Sequence, residues 1–224
     1  MTNQQSNDHA DTKVSDLKTK RSPATLKLIT GLGNPGLKYI DTRHNAGVWF
    51  LKELARKFGA SFKPDTKFHG DTSSIIVTGI EVRLLIPNTF MNNSGISVSS
   101  MANFFKIKPQ EIMIAHDEID FPAGKIRFKQ DGGLAGHNGL RDISKRLAGE
   151  TAFNRLRIGI GRPEDKGAMT KHVLGKVPKT ERKTIEDSIQ QAITALPLAI
   201  SGDWQSAMQQ LTRSNSEREE HEEH

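Results

Sequence analysis

Short apolar runs alternate along this chain with longer stretches whose apolar positions recur every three or four residues. Residues 26–30, 74–78, 82–86, 112–115, 126–128 and 156–160 are brief and rich in Ile, Val and Leu, as strands are. Residues 45–58, 94–105, 137–147 and 184–196 carry the helical period; in the first of these Phe50, Leu51, Leu54 and Phe58 share a face. A shorter helix is predicted over 204–211. Alternation of the two kinds predicts an α/β fold, a single globular domain with helices covering a mixed β-sheet. No helical pattern interrupts residues 72–86, so two strands there form a hairpin turning at Gly79.

The pattern fades at both ends. Residues 1–24 offer little to bury and are predicted to be a disordered arm ending near Ser22 and Pro23. Residues 213–224 form a charged run, predicted to be a flexible tail that frays into solvent. The domain is therefore drawn over 25–212, with no repeat and no internal linker.

Composition narrows the chemistry. A chain of 224 residues holds one well-filled core but not two large domains. The absence of cysteine excludes disulfides, thiolate nucleophiles and thiolate metal sites, and fits a reducing compartment. The polar start and the lack of any run near the roughly 20 apolar residues that span a bilayer predict a soluble, cytoplasmic protein with no membrane partner. Net charge is +6, and residues 25–212 hold 26 basic against 18 acidic side chains. Such an excess attracts a polyanion, although solvated basic faces are common on proteins that bind none.

Gly31, Gly33 and Gly36 of GLGNPG match the spacing of a dinucleotide fingerprint, but Pro35 blocks direct entry into a helix and no acidic residue ends the next strand. The glycines instead shape a loop that carries Asn34 past a strand end. His44 follows at the start of a helix, where the dipole favours the neutral ring and Asn45 is positioned to cap. The segment TFMNNSG brings Phe90 and Met91, read as buried or facing a pocket, and the amide of Asn92. In MIAHDEID an apolar strand runs into His116, Asp117, Glu118 and Asp120, a costly set to bury unless each is partnered. Asp117 is suited to orient a base histidine. The supple loop QDGGLAGHNGLRD leads to His137 and Asn138 at another helix start. Amides, one base and one acid suit hydrolysis by activated water.

Lys125, Arg127 and Lys129 alternate along one strand, and Arg155 and Arg157 along another; together they predict a phosphate clamp. Two other functions fit parts of this pattern. One is a non-catalytic RNA-binding module using the basic middle. The other is a magnesium-dependent phosphohydrolase using Asp117, Glu118 and Asp120.

Taken in order, GLGNPG with Tyr39, TRHNAG at 42–47, FMNNSG at 90–95, HDEID at 116–120, GGLAGHNGLRD at 132–142 and RLRIGIGRP at 155–163 resemble bacterial-type peptidyl-tRNA hydrolases over residues 25–212. The resemblance implies a twisted mixed sheet in a single, monomeric α/β domain. It implies an enzyme that hydrolyses the ester between a peptide and the terminal ribose of tRNA, with no metal, no cofactor and no obligate protein partner. It makes His44 the base and Asp117 its orienting carboxylate. Asn34 and Asn92 would hold the peptide end, the water or the oxyanion. Tyr39 and Met91 would line the peptide side, His137 and Asn138 would contact substrate or water, and Lys129 and Arg157 would grip a tRNA phosphate. The arm and the acidic tail lie outside the resemblance.

Overall fold

A computed structural model describes residues 24–222 of the chain, so nearly all of the expected arm at 1–24 lies outside the described residues. Seven strands form one sheet: β1 (Leu28–Gly31), β2 (Lys63–Asp65), β3 (Gly70–Val77), β4 (Ile80–Pro87), β5 (Ile112–Glu118), β6 (Ile126–Gln130) and β7 (Asn154–Gly159). Their order is β2-β3-β4-β1-β5-β7-β6. β4, β1, β5 and β7 run parallel, whereas β2, β3 and β6 pair antiparallel with their neighbours, so the sheet is mixed as expected. β3 and β4 form the predicted hairpin through Thr78 and Gly79, both at positive φ.

Six α-helices complete the described fold: α1 (Ala46–Lys57), α2 (Ser94–Phe104), α3 (Asn138–Arg146), α4 (Met169–Val173), α5 (Lys179–Ile200) and α6 (Trp204–Glu222). α1, α5 and α6 cover one face through Trp49, Phe50, Leu54, Ile189, Ile193 and Leu211, packed on Ile29, Met113, Phe128 and Leu156. α2 and α3 cover part of the other through Val98, Met101, Leu140 and Ile143, packed on Leu28, Ile112 and Ile114. Burying each large apolar side chain stabilises the fold by about 1.5–3 kcal/mol, so helices lie on both faces of the sheet.

The structure departs from the sequence expectation in several places. β5 continues through His116 and Asp117 to Glu118, with all seven residues buried, where the ionisable groups were expected just past its end. β2 is polar and contains Pro64, so it shows no strand period; it is an edge strand, where a missing N–H is tolerated. α4 has only five residues and no period to detect. α5 passes through Pro197, which the pattern treats as a stop but which falls in the last turn. α6 is helical to Glu222, well beyond 211, through a Ser-, Arg- and Glu-containing segment.

The contact that matters most for function lies between α1 and the sheet. A Cβ on Gly47 would lie 2.2 Å from the Ala115 carbonyl oxygen and 2.6 Å from the Leu32 nitrogen, and one on Gly31 would lie 2.3 Å from the Gly47 oxygen. Only glycine at both positions lets the head of α1 rest on the backbone of β1 and β5. The loops at the carboxyl ends of these two strands therefore meet, at the point where the chain leaves β1 towards one edge of the sheet (β2) and leaves β5 towards the other (β6).

Candidate active site

His44 occupies a 3-10 turn, Arg43–Asn45, immediately before α1. Asp117 enters from β5, and His137 caps α3. His44 Nδ1 lies 2.8 Å and His137 Nε2 3.0 Å from the same oxygen, Asp117 Oδ1. Asp117 is buried, and the facing imidazoles outweigh burial to hold its carboxyl well below the usual carboxylate range. An ionised carboxylate only accepts hydrogen bonds, so both imidazoles donate to it. His44 therefore carries its proton on Nδ1, leaving the Nε2 lone pair free. His137 donates through Nε2 while its Nδ1 accepts from the Leu140 N–H at 3.3 Å.

Burial lowers the pKa of His44, but the charge and hydrogen bond of Asp117 raise it further, so the net shift is upward from 6.5. This corrects the expectation that the helix start alone would keep the ring neutral. The neighbouring residues fix the turn. Arg43 makes a bidentate pair with Glu181 of α5 at 2.7 and 2.5 Å and reaches the His172 carbonyl of α4 at 3.3 Å.

Asn45 does not cap α1. Its side chain accepts from the Asn34 N–H at 2.9 Å and donates to the Asn34 carbonyl at 3.0 Å, clamping the glycine loop beside His44. Asn34 Oδ1 in turn accepts from the Met91 N–H at 2.8 Å, which leaves its NH2 group for a ligand. Met91 is buried, and its sulfur would stand 2.6 Å from a Cβ on Gly139, so the Met91 loop abuts the start of α3. Phe90, expected to be buried or in a pocket, is 55% exposed. Asn92 is exposed and has no hydrogen-bond partner among the described residues, and Tyr39 meets Phe90 edge-on at 6.4 Å. Asn138 is exposed, with Oδ1 accepting from Arg141 at 3.2 Å.

On the other side of His44 a pocket of about 150 Å³ is lined by Asp117, His137, Asn138, Gly136 and Ile119, and by Met169, Thr170 and Val173 of α4. The α4 wall, five residues long, carries no pattern by which it could be read beforehand. His116 also lines this pocket. Its Nδ1 donates to the Asp117 carbonyl at 2.7 Å, its ring stands edge-on to His137 at 5.0 Å, and burial with the nearby His137 pushes its pKa down to about 3.

The acids of HDEID each have their own partners. Glu118 pairs with Arg157 at 2.8 Å, Asp120 pairs with Arg162, and Asp117 takes the two imidazoles. His44, Asp117 and His137 present ligand atoms within 4.8 Å of one another, a spacing compatible with a cation. A cation there would displace the two N–H protons that already join them.

Cross-strand register puts Arg127 opposite Arg157 and Lys129 opposite Arg155, so the predicted basic face exists on β6 and β7. One member is otherwise employed. Arg155 is buried and donates to the carbonyls of Gly132 and Gly133, so it holds the glycine loop and is not open to a phosphate. Lys129 has no carboxylate partner among the described residues. Arg157 remains partly exposed while paired with Glu118 and stacked on Phe121 at 4.2 Å.

The peptidyl-tRNA hydrolase family profile matches residues 28–220. The peptidyl-tRNA hydrolase of Shewanella loihica is 52% identical over 188 residues, 84% of this chain and 96% of that protein. That of Shewanella sediminis is 50% identical over 188 residues, 84% and 97% of the respective chains. A crystal structure of the peptidyl-tRNA hydrolase of Acinetobacter baumannii superposes with a TM-score of 0.81 at 46% identity, covering 85% of this chain and 97% of that one.

Proposed function

The chain belongs to the peptidyl-tRNA hydrolase family and hydrolyses the ester that joins a peptide to tRNA; from that premise we propose that His44 activates the attacking water and that Asp117 orients it. The observation that carries this reading is the bond between His44 Nδ1 and Asp117 Oδ1, which leaves Nε2 as a proton acceptor at the pocket edge.

A water held by His44 Nε2 attacks the ester carbonyl and gives its proton to that nitrogen. Asp117 stays ionised and stabilises the imidazolium. The amide of Asn34, fixed through the Met91 N–H and the grip of Asn45, is aimed before reaction and donates to the developing oxyanion or to the peptide carbonyls, and Asn92 donates beside it. As the intermediate collapses, the carbonyl–ribose oxygen bond breaks and His44 returns the proton to the ribose oxygen. His137 keeps Asp117 fixed from the other side, and Asn138 steadies water or the ribose end. Tyr39 and Met91 border the peptide, while Lys129 and Arg157 attract the RNA backbone.

The pairing of Asp117, Glu118 and Asp120 with separate cationic or imidazole partners weighs against a phosphohydrolase built on three free carboxylates. No helix among the described residues is long and apolar enough to cross a membrane; a monomer acting in the cytoplasm completes the proposal.

The deciding assay is release of labelled peptide from purified peptidyl-tRNA. His44→Ala is expected to lower turnover about 10²–10⁴-fold while tRNA affinity changes little. Equal loss of turnover and affinity would remove His44 from the chemistry.

A further inference from the structure

Leu37, Phe90 and Ile40 are 86%, 55% and 46% exposed, and all three stand on the two loops that also carry Asn34 and Asn92. Leu37 opens a 3-10 turn, Leu37–Tyr39, that Ile40 closes; side chains three apart in such a turn lie one above the other. Tyr39 of the same turn meets Phe90, and the Met91 N–H to Asn34 Oδ1 bond ties the two loops together. Asn45 then fastens Asn34 beside His44. The exposed apolar side chains thus belong to a rim held in fixed relation to the reacting nitrogen.

Water activation makes no use of such a rim, and large apolar side chains facing solvent around a cleft mark a binding surface. The ester has two arms. The RNA arm is met by phosphate-seeking cations on β6 and β7, at the opposite end of the strand order from this rim; Phe90 is already engaged edge-on by Tyr39, whose ring also carries the Lys38 ammonium, and Leu37 and Ile40 are purely aliphatic. The peptide arm leaves the ester on the side of Asn34. Leu37 follows Asn34 by three residues and Phe90 directly precedes Met91, whose N–H is bonded to Asn34, so a peptide leaving past Asn34 and advancing about 3.3–3.6 Å per residue meets this rim with its first residues before the esterified one.

We propose that Leu37, Ile40 and Phe90 form a specificity surface that favours peptidyl-tRNAs carrying an apolar side chain immediately before the esterified residue. The inference rests on the reading of the site given above.

The test uses two peptidyl-tRNAs with the same RNA and the same esterified residue, preceded by leucine in one and serine in the other. The unaltered enzyme should show a KM roughly three- to tenfold lower for the leucine substrate, with similar kcat. Leu37→Ala and Phe90→Ala should draw the two KM values together by raising that of the leucine substrate. Ile76→Ala, which removes a 69% exposed side chain from β3, should leave the ratio as it was. Equal KM values in the unaltered enzyme would overturn the inference. So would loss of the ratio in Ile76→Ala, or a Leu37→Ala effect confined to self-association measured by sedimentation. Failure to release peptide from either substrate would instead sink the hydrolytic reading beneath it.

Discussion

Burial alone would make the His44 ring harder to protonate than free imidazole, and Asp117 reverses that balance. The upward shift fixes a sign: the neutral ring that the proposed mechanism requires accumulates only as pH rises past its folded-state pKa, above 6.5. The acid limb of kcat/KM is therefore expected above pH 6.5. Asp117→Asn removes both raising influences and leaves burial, so the limb should move to lower pH while kcat falls by about 10²–10⁴-fold. A limb that stays in place in the variant would show that His44 is not what titrates. The same shift means that protonated His44 favours the folded state below its unfolded pKa, and that this contribution fades as pH rises through the folded one. His44 and Asp117 were legible in the sequence because each follows a strand or loop of unmistakable pattern. Asn45 was not: an amide at a helix start reads as a cap, and only the folded position of Asn34 reveals that it grips another loop. His137 was legible as a member of the site, but its bond to Asp117 depends on where α3 lands.

Elements carry the next layer of control. A strand with dense Ile, Val and Leu, such as β4, could be read directly, whereas β2 and α4 are too short or too polar to announce themselves. Alternation of basic residues on β7 identified a face but not its uses, because Arg155 and Arg157 look alike in sequence. Arg155 holds the loop that ends at His137; Arg157 lies toward solvent. Arg155→Met is accordingly expected to lower thermal stability and kcat by loosening residues 132–137, with no change in the salt dependence of KM. A flatter salt dependence in that variant would return Arg155 to the phosphate contacts.

At the scale of the whole molecule, the sheet separates two kinds of surface around one imidazole: apolar rim on the β1 and β4 side, basic strands on the β7 and β6 side. Fold class was readable because strands and helices alternate; the strand order was not, since it depends on contacts between segments far apart in the chain. If RNA binds along the basic strands, Lys129→Ala should reduce the slope of log KM against log salt by about 1, while hydrolysis of a short ester lacking RNA is spared. Arg157→Ala should do the same and also destabilise the fold, because Glu118 loses its partner while buried. An unchanged slope in both variants would dismiss the clamp.

Main-chain atoms of α1 meet those of β1 and β5 with no side chain between them, only three residues from His44 and two from Asp117. Alignment of base and carboxylate is thus inherited from hard-sphere contact, stiffer than any side-chain packing. A helix interior usually gains about 0.5–1 kcal/mol from alanine in place of glycine. At Gly47 that familiar route to a sturdier helix is closed, because the added methyl would wedge the base away from its acid.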